Sequence, residues 1–247
     1  MSDYVLIHGG GCSPWHWHLL EDELRRRGHR TAAVDLPCED ESAGLGAYAE
    51  AIAGAAAGST DPVLVAHSLA GLSAPLACAR IPAGLLVLLT AMVPAPGEPP
   101  GEWWAATGYE AAVREAALAR GEDPERADLF FADLPPGLAR EAEEHMRGQA
   151  GAPFGEPWPL DAWPDVRTAF LLCRDDRFFP APFIRRVVRE RLGITPVETP
   201  GGHFAMLSRP RELADRLEAL AAPGRPAADP PPGGRAAAPR PAPERSE

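Results

Sequence analysis

Short apolar runs recur along this chain, separated by longer amphipathic or alanine-rich stretches. Tyr4 to His8, Thr31 to Leu36, Val63 to Ala66, Gly84 to Met92 and Thr168 to Cys173 are mostly continuous rather than alternating, and the more polar Thr195 to Thr199 reads as a further strand. That pattern suits strands buried on both faces of a parallel sheet. Trp15 to Gly28 places Leu19, Leu20 and Leu24 on one helical face and Glu21, Arg25 and Arg26 on the other, with Gly28 as its stop. Leu45 to Ala57, Leu69 to Arg80, Pro182 to Arg191 and a terminal stretch running to about Ala221 also read as helices. Strand following helix in this order predicts an α/β fold: an open, doubly wound, mostly parallel sheet whose ligands sit at the carboxyl ends of the strands.

The alternation breaks between residues 94 and 163. Proline and glycine become frequent, and helical stretches at Glu110 to Arg120 and Leu138 to Arg147 lie among the aromatics Trp103, Trp104, Phe130, Phe131, Phe154 and Trp158. A helical insertion at a strand end would cover the cleft as a lid, so the expected division is a core of 1–93 and 164–222 with a lid of 94–163. Residues 223–247 are Pro, Ala, Gly and Arg with almost no large apolar side chain, the composition of a disordered tail.

With 247 residues and 45% hydrophobic content, the chain is long enough to bury one substantial core. The formal charge of −11 argues against nucleic acid or an anionic membrane as partner, since phosphate binding needs a basic stripe. All 24 basic residues are arginine and there is no lysine, which excludes a lysine Schiff base and a P-loop. Cys12, Cys38, Cys78 and Cys173 form no C-x-x-C pair, so unpaired thiols in a reducing cytoplasm are expected. His16 and His18 lack a third ligand at metal spacing, and no cofactor or metal is expected. A strand-like run begins within four residues of Met1 with no basic segment before it, so no secretory leader is expected, and the longest apolar run, Leu85 to Val93, is about half of what spans a bilayer.

Candidate chemistry concentrates at strand ends. Val63 to Ala66 stops at His67-Ser68 and a helical stretch follows, with Ala66, Ala70 and Gly71 supplying the small residues a sharp strand-to-helix turn needs. This is a G-x-S-x-G nucleophile elbow with alanine for the first glycine, and it presents Ser68 at the carboxyl edge of the sheet. Read alone it is equally a strand–helix junction with an N-cap serine. The first strand ends in His8-Gly9-Gly10-Gly11, whose unshielded amides suit an oxyanion hole built from the Gly10 and Leu69 N–H groups. Asp175-Asp176 lies just past Thr168 to Cys173, and His203 follows Pro200-Gly201-Gly202 after the next strand. Ser68, Asp176 and His203 thus occur in the chain order of an α/β-hydrolase triad, with Asp175 the alternative acid.

From Tyr4 to about Leu220 the chain resembles the plant methylesterase and hydroxynitrile lyase branch of the α/β-hydrolases. The resemblance rests on His8-Gly9-Gly10 with Trp15-His16-Trp17, on Asp35-Leu36-Pro37, on Ala66-His67-Ser68 and on His203-Phe204-Ala205-Met206-Leu207. It implies a serine hydrolase acting on a small, hydrophobic carboxylic ester through an acyl-enzyme. Its lyase members carry lysine after the histidine, where this chain has Phe204, so cyanohydrin cleavage is not implied. The candidate pocket residues are Trp103, Trp104, Phe131, Phe178 and Phe204. Two other readings share the same site: a cofactor-free lyase or tailoring enzyme of secondary metabolism, and a ligand-binding homologue without turnover. Substrate identity and oligomeric state are not readable from the chain.

Overall fold

The computed structural model describes residues 1–222; the expected disordered tail, 223–247, lies outside the described residues. Six strands form one parallel sheet: β1 (Asp3–Ile7), β2 (Arg30–Val34), β3 (Val63–His67), β4 (Leu85–Leu89), β5 (Thr168–Cys173) and β6 (Val197–Thr199). Their spatial order is β2-β1-β3-β4-β5-β6, so the chain starts one strand in from an edge, adds β2 outside it and then reverses to lay down β3 to β6 on the other side. Clefts form where such a sheet changes direction, at β1 and β3 here.

Alternation along each strand divides the core in two. Val5, Ile7, Leu64, Ala66, Leu86, Leu88, Phe170 and Leu172 face α2 (Leu45–Ala55), α3 (Ala74–Cys78) and α8 (Ala181–Leu192). The intervening Tyr4, Leu6, Val63, Val65, Leu85, Val87, Ala169 and Leu171 face α1 (His18–Arg26) and the C-terminal pair α9 (Ala205–Ser208) and α10 (Pro210–Ala221). Strands covered on both sides need no polar residues, which is why the sequence shows them as solid apolar runs.

Several elements are shorter than their apolar patterns. The helix expected over Leu69 to Arg80 is a 3₁₀ turn at Ser68–Leu72 followed by one turn of α3, with Pro75 near the break removing a backbone donor. The run Gly84 to Met92 is strand only to Leu89, because Thr90 takes φ +38°, outside any strand conformation. Pro196 trims the last strand to three residues. The terminal helix is split at Pro210, and the amphipathic helix expected from Trp15 opens as a 3₁₀ turn at Pro14–Trp17.

Between β4 and β5 the chain leaves the sheet and folds α4 (Trp103–Thr107), α5 (Tyr109–Ala119), α6 (Pro136–Glu144) and α7 (Ala152–Gly155). The two ends of this insertion are tied together at its neck. Gly97 N–H donates to Trp158 O at 3.2 Å, Trp158 N–H donates to Glu98 O at 2.9 Å, and the buried Trp158 indole donates to Leu72 O at 2.8 Å. Arg191 of α8 pairs with Glu98 and donates to Val93 O at 2.7 Å. The neck of the insertion is therefore fixed to the turn after β3 and to α8.

Candidate active site

Ser68 follows β3 directly and sits at φ +53°, a left-handed conformation that costs a non-glycine residue of order 1–3 kcal/mol. The surroundings hold it there. Ser68 O accepts the Met92 N–H at 2.9 Å, and Gly71 lies so close that a Cβ on it would stand 2.0 Å from Met92 O. A Cβ on Gly9 would stand 2.8 Å from Ser68 Cβ, which brings the glycine loop after β1 against the serine. The small residues read from the sequence thus answer two close approaches, one to the β4 end and one to the β1 end.

Three loops meet at this point. His203 Nε2 lies 3.1 Å from Ser68 Oγ, and His203 Nδ1 lies 2.9 Å from Asp176 Oδ2. Asp176 Oδ1 accepts the Phe178 and Phe179 N–H groups at 2.8 Å each, and Oδ2 also accepts the Thr90 hydroxyl. Each carboxylate oxygen is thereby satisfied inside a buried site. Between the two adjacent acids the geometry is decisive. Asp175 is exposed and accepts the Gly201 N–H at 2.9 Å, bracing the loop that carries His203 rather than touching the imidazole.

His67 is buried directly beneath. Its Nε2–H donates to His203 O at 2.9 Å, and burial keeps its pKa well below the ordinary histidine range, so it is a neutral support. His8 is likewise buried, and desolvation pushes its pKa down to about 4. His203 is ringed by aromatic edges, with the Phe178, Phe179 and Phe130 rings 4.8, 5.5 and 5.6 Å from its own.

A cavity of about 120 Å³ opens onto Ser68 and His203. Gly9, Gly10 and Leu69 form one wall, which is where two unshielded amides were expected. Of the proposed pocket aromatics, Trp104, Phe178 and Phe204 line it. Trp103 and Phe131 do not. Trp103 is fully buried, its indole donating to Val93 O at 2.9 Å and packed on Phe179 and Phe183, so it is core of the insertion's base. Phe131 stands behind Phe204, with ring centroids 4.9 Å apart, and its neighbour Phe130 takes the cavity position. Met146, Gln149 and Phe154 complete the wall from the insertion. Thr90 was also missed from the sequence: it carries no motif, and only the adjacency of β4 and β5 brings it to Asp176.

The elements able to hold a metal are lacking among the described residues, where no group of three or more His, Cys, Asp or Glu side chains gathers. What the arrangement offers is a hydroxyl beside an imidazole, an oriented carboxylate behind that imidazole, and a glycine-rich backbone loop across a small apolar cavity. These are the parts of nucleophilic acyl transfer.

The chain belongs to the alpha/beta hydrolase family, whose sequence profile matches residues 4–216. Among its relatives are plant proteins named as esterases. It is 29% identical to the probable esterase PIR7A of Oryza sativa subsp. indica over 89% of this chain and 96% of that one. It is 33% identical to methylesterase 9 of Arabidopsis thaliana over 90% and 98% of the two chains. The crystal structure of polyneuridine aldehyde esterase superposes with a TM-score of 0.72 at 23% identity, covering 90% of this chain and all of that one, which speaks to the shared fold.

Proposed function

We propose that this protein is a serine esterase that cleaves a small, neutral, hydrophobic carboxylic ester through an acyl-enzyme. The observation that carries this reading is the continuous relay Ser68 Oγ, His203 Nε2, His203 Nδ1, Asp176 Oδ2, with steps of 3.1 and 2.9 Å. Ser68 Oγ attacks the ester carbonyl carbon while His203 Nε2 takes its proton. The carbonyl oxygen, now negative, accepts from the Gly10 and Leu69 N–H groups. Collapse breaks the C–O bond to the alcohol, which leaves with the proton from His203. Water, deprotonated by the same nitrogen, then attacks the acyl carbon and releases the acid and Ser68. Asp176 keeps the imidazole proton on Nδ1 and steadies the imidazolium.

The cavity supports a small substrate. At about 120 Å³ it falls below the roughly 300–1,000 Å³ of sites that enclose drug-sized ligands, and Met and aromatic side chains make up much of its wall. The insertion acts as the lid, contributing Trp104, Phe130, Met146 and Phe154 to those walls. The relatives' names, esterase and methylesterase, support the same reaction class.

Ser68→Ala tests the reading on a panel of p-nitrophenyl esters. Turnover of the acetate is expected to fall at least about 10³-fold while the melting temperature stays near that of the wild type. Activity surviving the substitution contradicts it.

A further inference from the structure

Lid residues 142–150 are stitched to the glycine loop more densely than covering a cavity requires. Arg147 N–H donates to Gly11 O at 2.6 Å, Gly11 N–H donates to Gln149 Oε1 at 3.2 Å, and Ser13 Oγ donates to His145 O at 3.1 Å. The guanidinium of Arg147 reaches furthest. Its Nε donates to Cys12 O at 3.0 Å, one terminal nitrogen donates to Leu36 O and His8 Nε2, both at 3.2 Å, and the other pairs with Asp35 at 3.0 Å.

One of these contacts, from Arg147, reaches His8. Its Nε2 accepts from Arg147 and from the Leu36 N–H at 3.2 Å, so the ring proton resides on Nδ1, which donates to Gly9 O at 2.8 Å. Across a trans peptide the C=O and the following N–H point opposite ways. A Gly9 carbonyl anchored on His8 at 2.8 Å, with the longer Cys12 N–H contact at 3.3 Å beside it, therefore leaves the Gly10 N–H facing away from that anchor, and Gly10 is a cavity wall. A partly buried arginine fork held by four acceptors on the loops after β1 and β2 is a costly arrangement to keep for covering alone.

We propose that Arg147 is a positioning residue for the oxyanion hole: by holding the tautomer and orientation of His8, this lid arginine sets the direction of the Gly10 N–H beside Ser68. The inference rests on the serine-esterase reading above. It links lid seating to the hole, because the arginine that fixes the loop belongs to the lid. Burial supports it, since a His8 pushed down to about 4 stays neutral and can accept from Arg147 across the working pH range; Arg147, Asp35 and His16 are the charged or titratable groups that bear on it.

The test compares wild type, Arg147→Met, His8→Asn, the double variant and Ser68→Ala on p-nitrophenyl acetate, together with two inhibitors. A trifluoromethyl ketone adds Ser68 Oγ to its carbonyl carbon, passing the proton to His203 and placing an oxyanion in the hole; the parent methyl ketone binds without adding. For Arg147→Met the expected result is a kcat lowered about 10- to 100-fold with KM within about twofold. Trifluoromethyl ketone affinity should fall by the same factor, with methyl ketone affinity unchanged. His8→Asn keeps a donor for Gly9 O and loses the acceptor for Arg147, so adding Arg147→Met to it should cost less than about threefold more. If Arg147→Met fails to fold, Arg147→Lys, which keeps the charge without the fork, is read on the same ketone pair and should show the same differential loss. An unchanged kcat, or equal losses for the two ketones, overturns the proposal. An active Ser68→Ala defeats the esterase reading instead, so the two failures are separable.

Discussion

At the scale of single residues, the site is a set of donors that leave no freedom to the groups they hold. Asp176 is the clearest case: two backbone amides take one oxygen, and Thr90 shares the other with His203. Thr90 holds that post at φ +38°, a conformation a β-branched residue adopts only when its surroundings impose it. Hydrogen bonds to a charged group contribute about 1.5–3 kcal/mol each, so Thr90→Val should lower kcat/KM about tenfold or more, while Thr90→Ser should keep most of it. Steady-state kinetics on a short p-nitrophenyl ester decides, and a fully active Thr90→Val would show that the hydroxyl is dispensable. Ser68, His203 and the glycine loop were legible in the sequence because each follows a strand and has a recognisable neighbourhood. The pairing of Thr90 with Asp176 was not, since it depends on two strand ends 86 residues apart lying side by side. The choice between Phe130 and Phe131 was illegible for a related reason: adjacent aromatics in an irregular loop differ only in the side the loop turns to the cavity.

His8 has a folded pKa of about 4 against an ordinary 6.5. As pH falls through 6.5 the unfolded chain takes up a proton that the folded chain refuses, so stability is full above 6.5 and declines below it, levelling off near 4. The whole difference is about 3 kcal/mol for this one side chain. His67, also depressed by burial, adds to the loss in the same direction. Urea midpoints at pH 7.5 and 5 should therefore differ, with the lower pH less stable, and His8→Asn should flatten the dependence. A midpoint that rises on acidification contradicts this.

At the scale of elements, the elbow depends on how closely the turn after β3 approaches the end of β4. A Cβ at position 71 would overlap a backbone oxygen, Met92 O at 2.0 Å, and backbone cannot swing aside as a side chain can. Gly71→Ala should therefore cost more than the 1–3 kcal/mol of ordinary overpacking and shift the melting temperature down by several degrees. Gly84→Ala is the useful contrast, because its obstructing atoms belong to the movable Asp61 side chain. Equal stability losses in the two variants would mean that the tight approach is not what selects glycine at 71. The strand runs and the order of strand and helix carried the sheet almost completely. The breaks were harder to read: Pro75 and Pro210 sit inside patterns whose apolar spacing is otherwise helical, and the strand ends at a Thr90 turned to φ +38° and bonded to Asp176 rather than at a change of composition.

At the scale of the whole molecule, one sheet face rests on α1 and α10 and the other on α2, α3 and α8, leaving the carboxyl edge as the place where four loops and the insertion meet. No described helix is long and apolar enough to cross a membrane. The net charge of −11 sets up a field that repels anions at long range and leaves neutral molecules indifferent. Hydrolysis of a neutral ester should change less than about twofold between low and 0.5 M salt, whereas an ester bearing a carboxylate should speed up as the field is screened over a few ångströms. Slowing of the anionic ester by salt would point to a local basic site that outweighs the global charge.

The claim on which the account depends is that Ser68 is a nucleophile activated by His203. Intact-mass measurement after brief exposure to a fluorophosphonate reads that directly. The predicted result is one adduct per chain, mapped to the peptide carrying Ser68, abolished by Ser68→Ala and slowed at least about 10³-fold by His203→Ala. Labelling that is absent in the wild type, falls on another residue, or proceeds at full rate without His203 would contradict it.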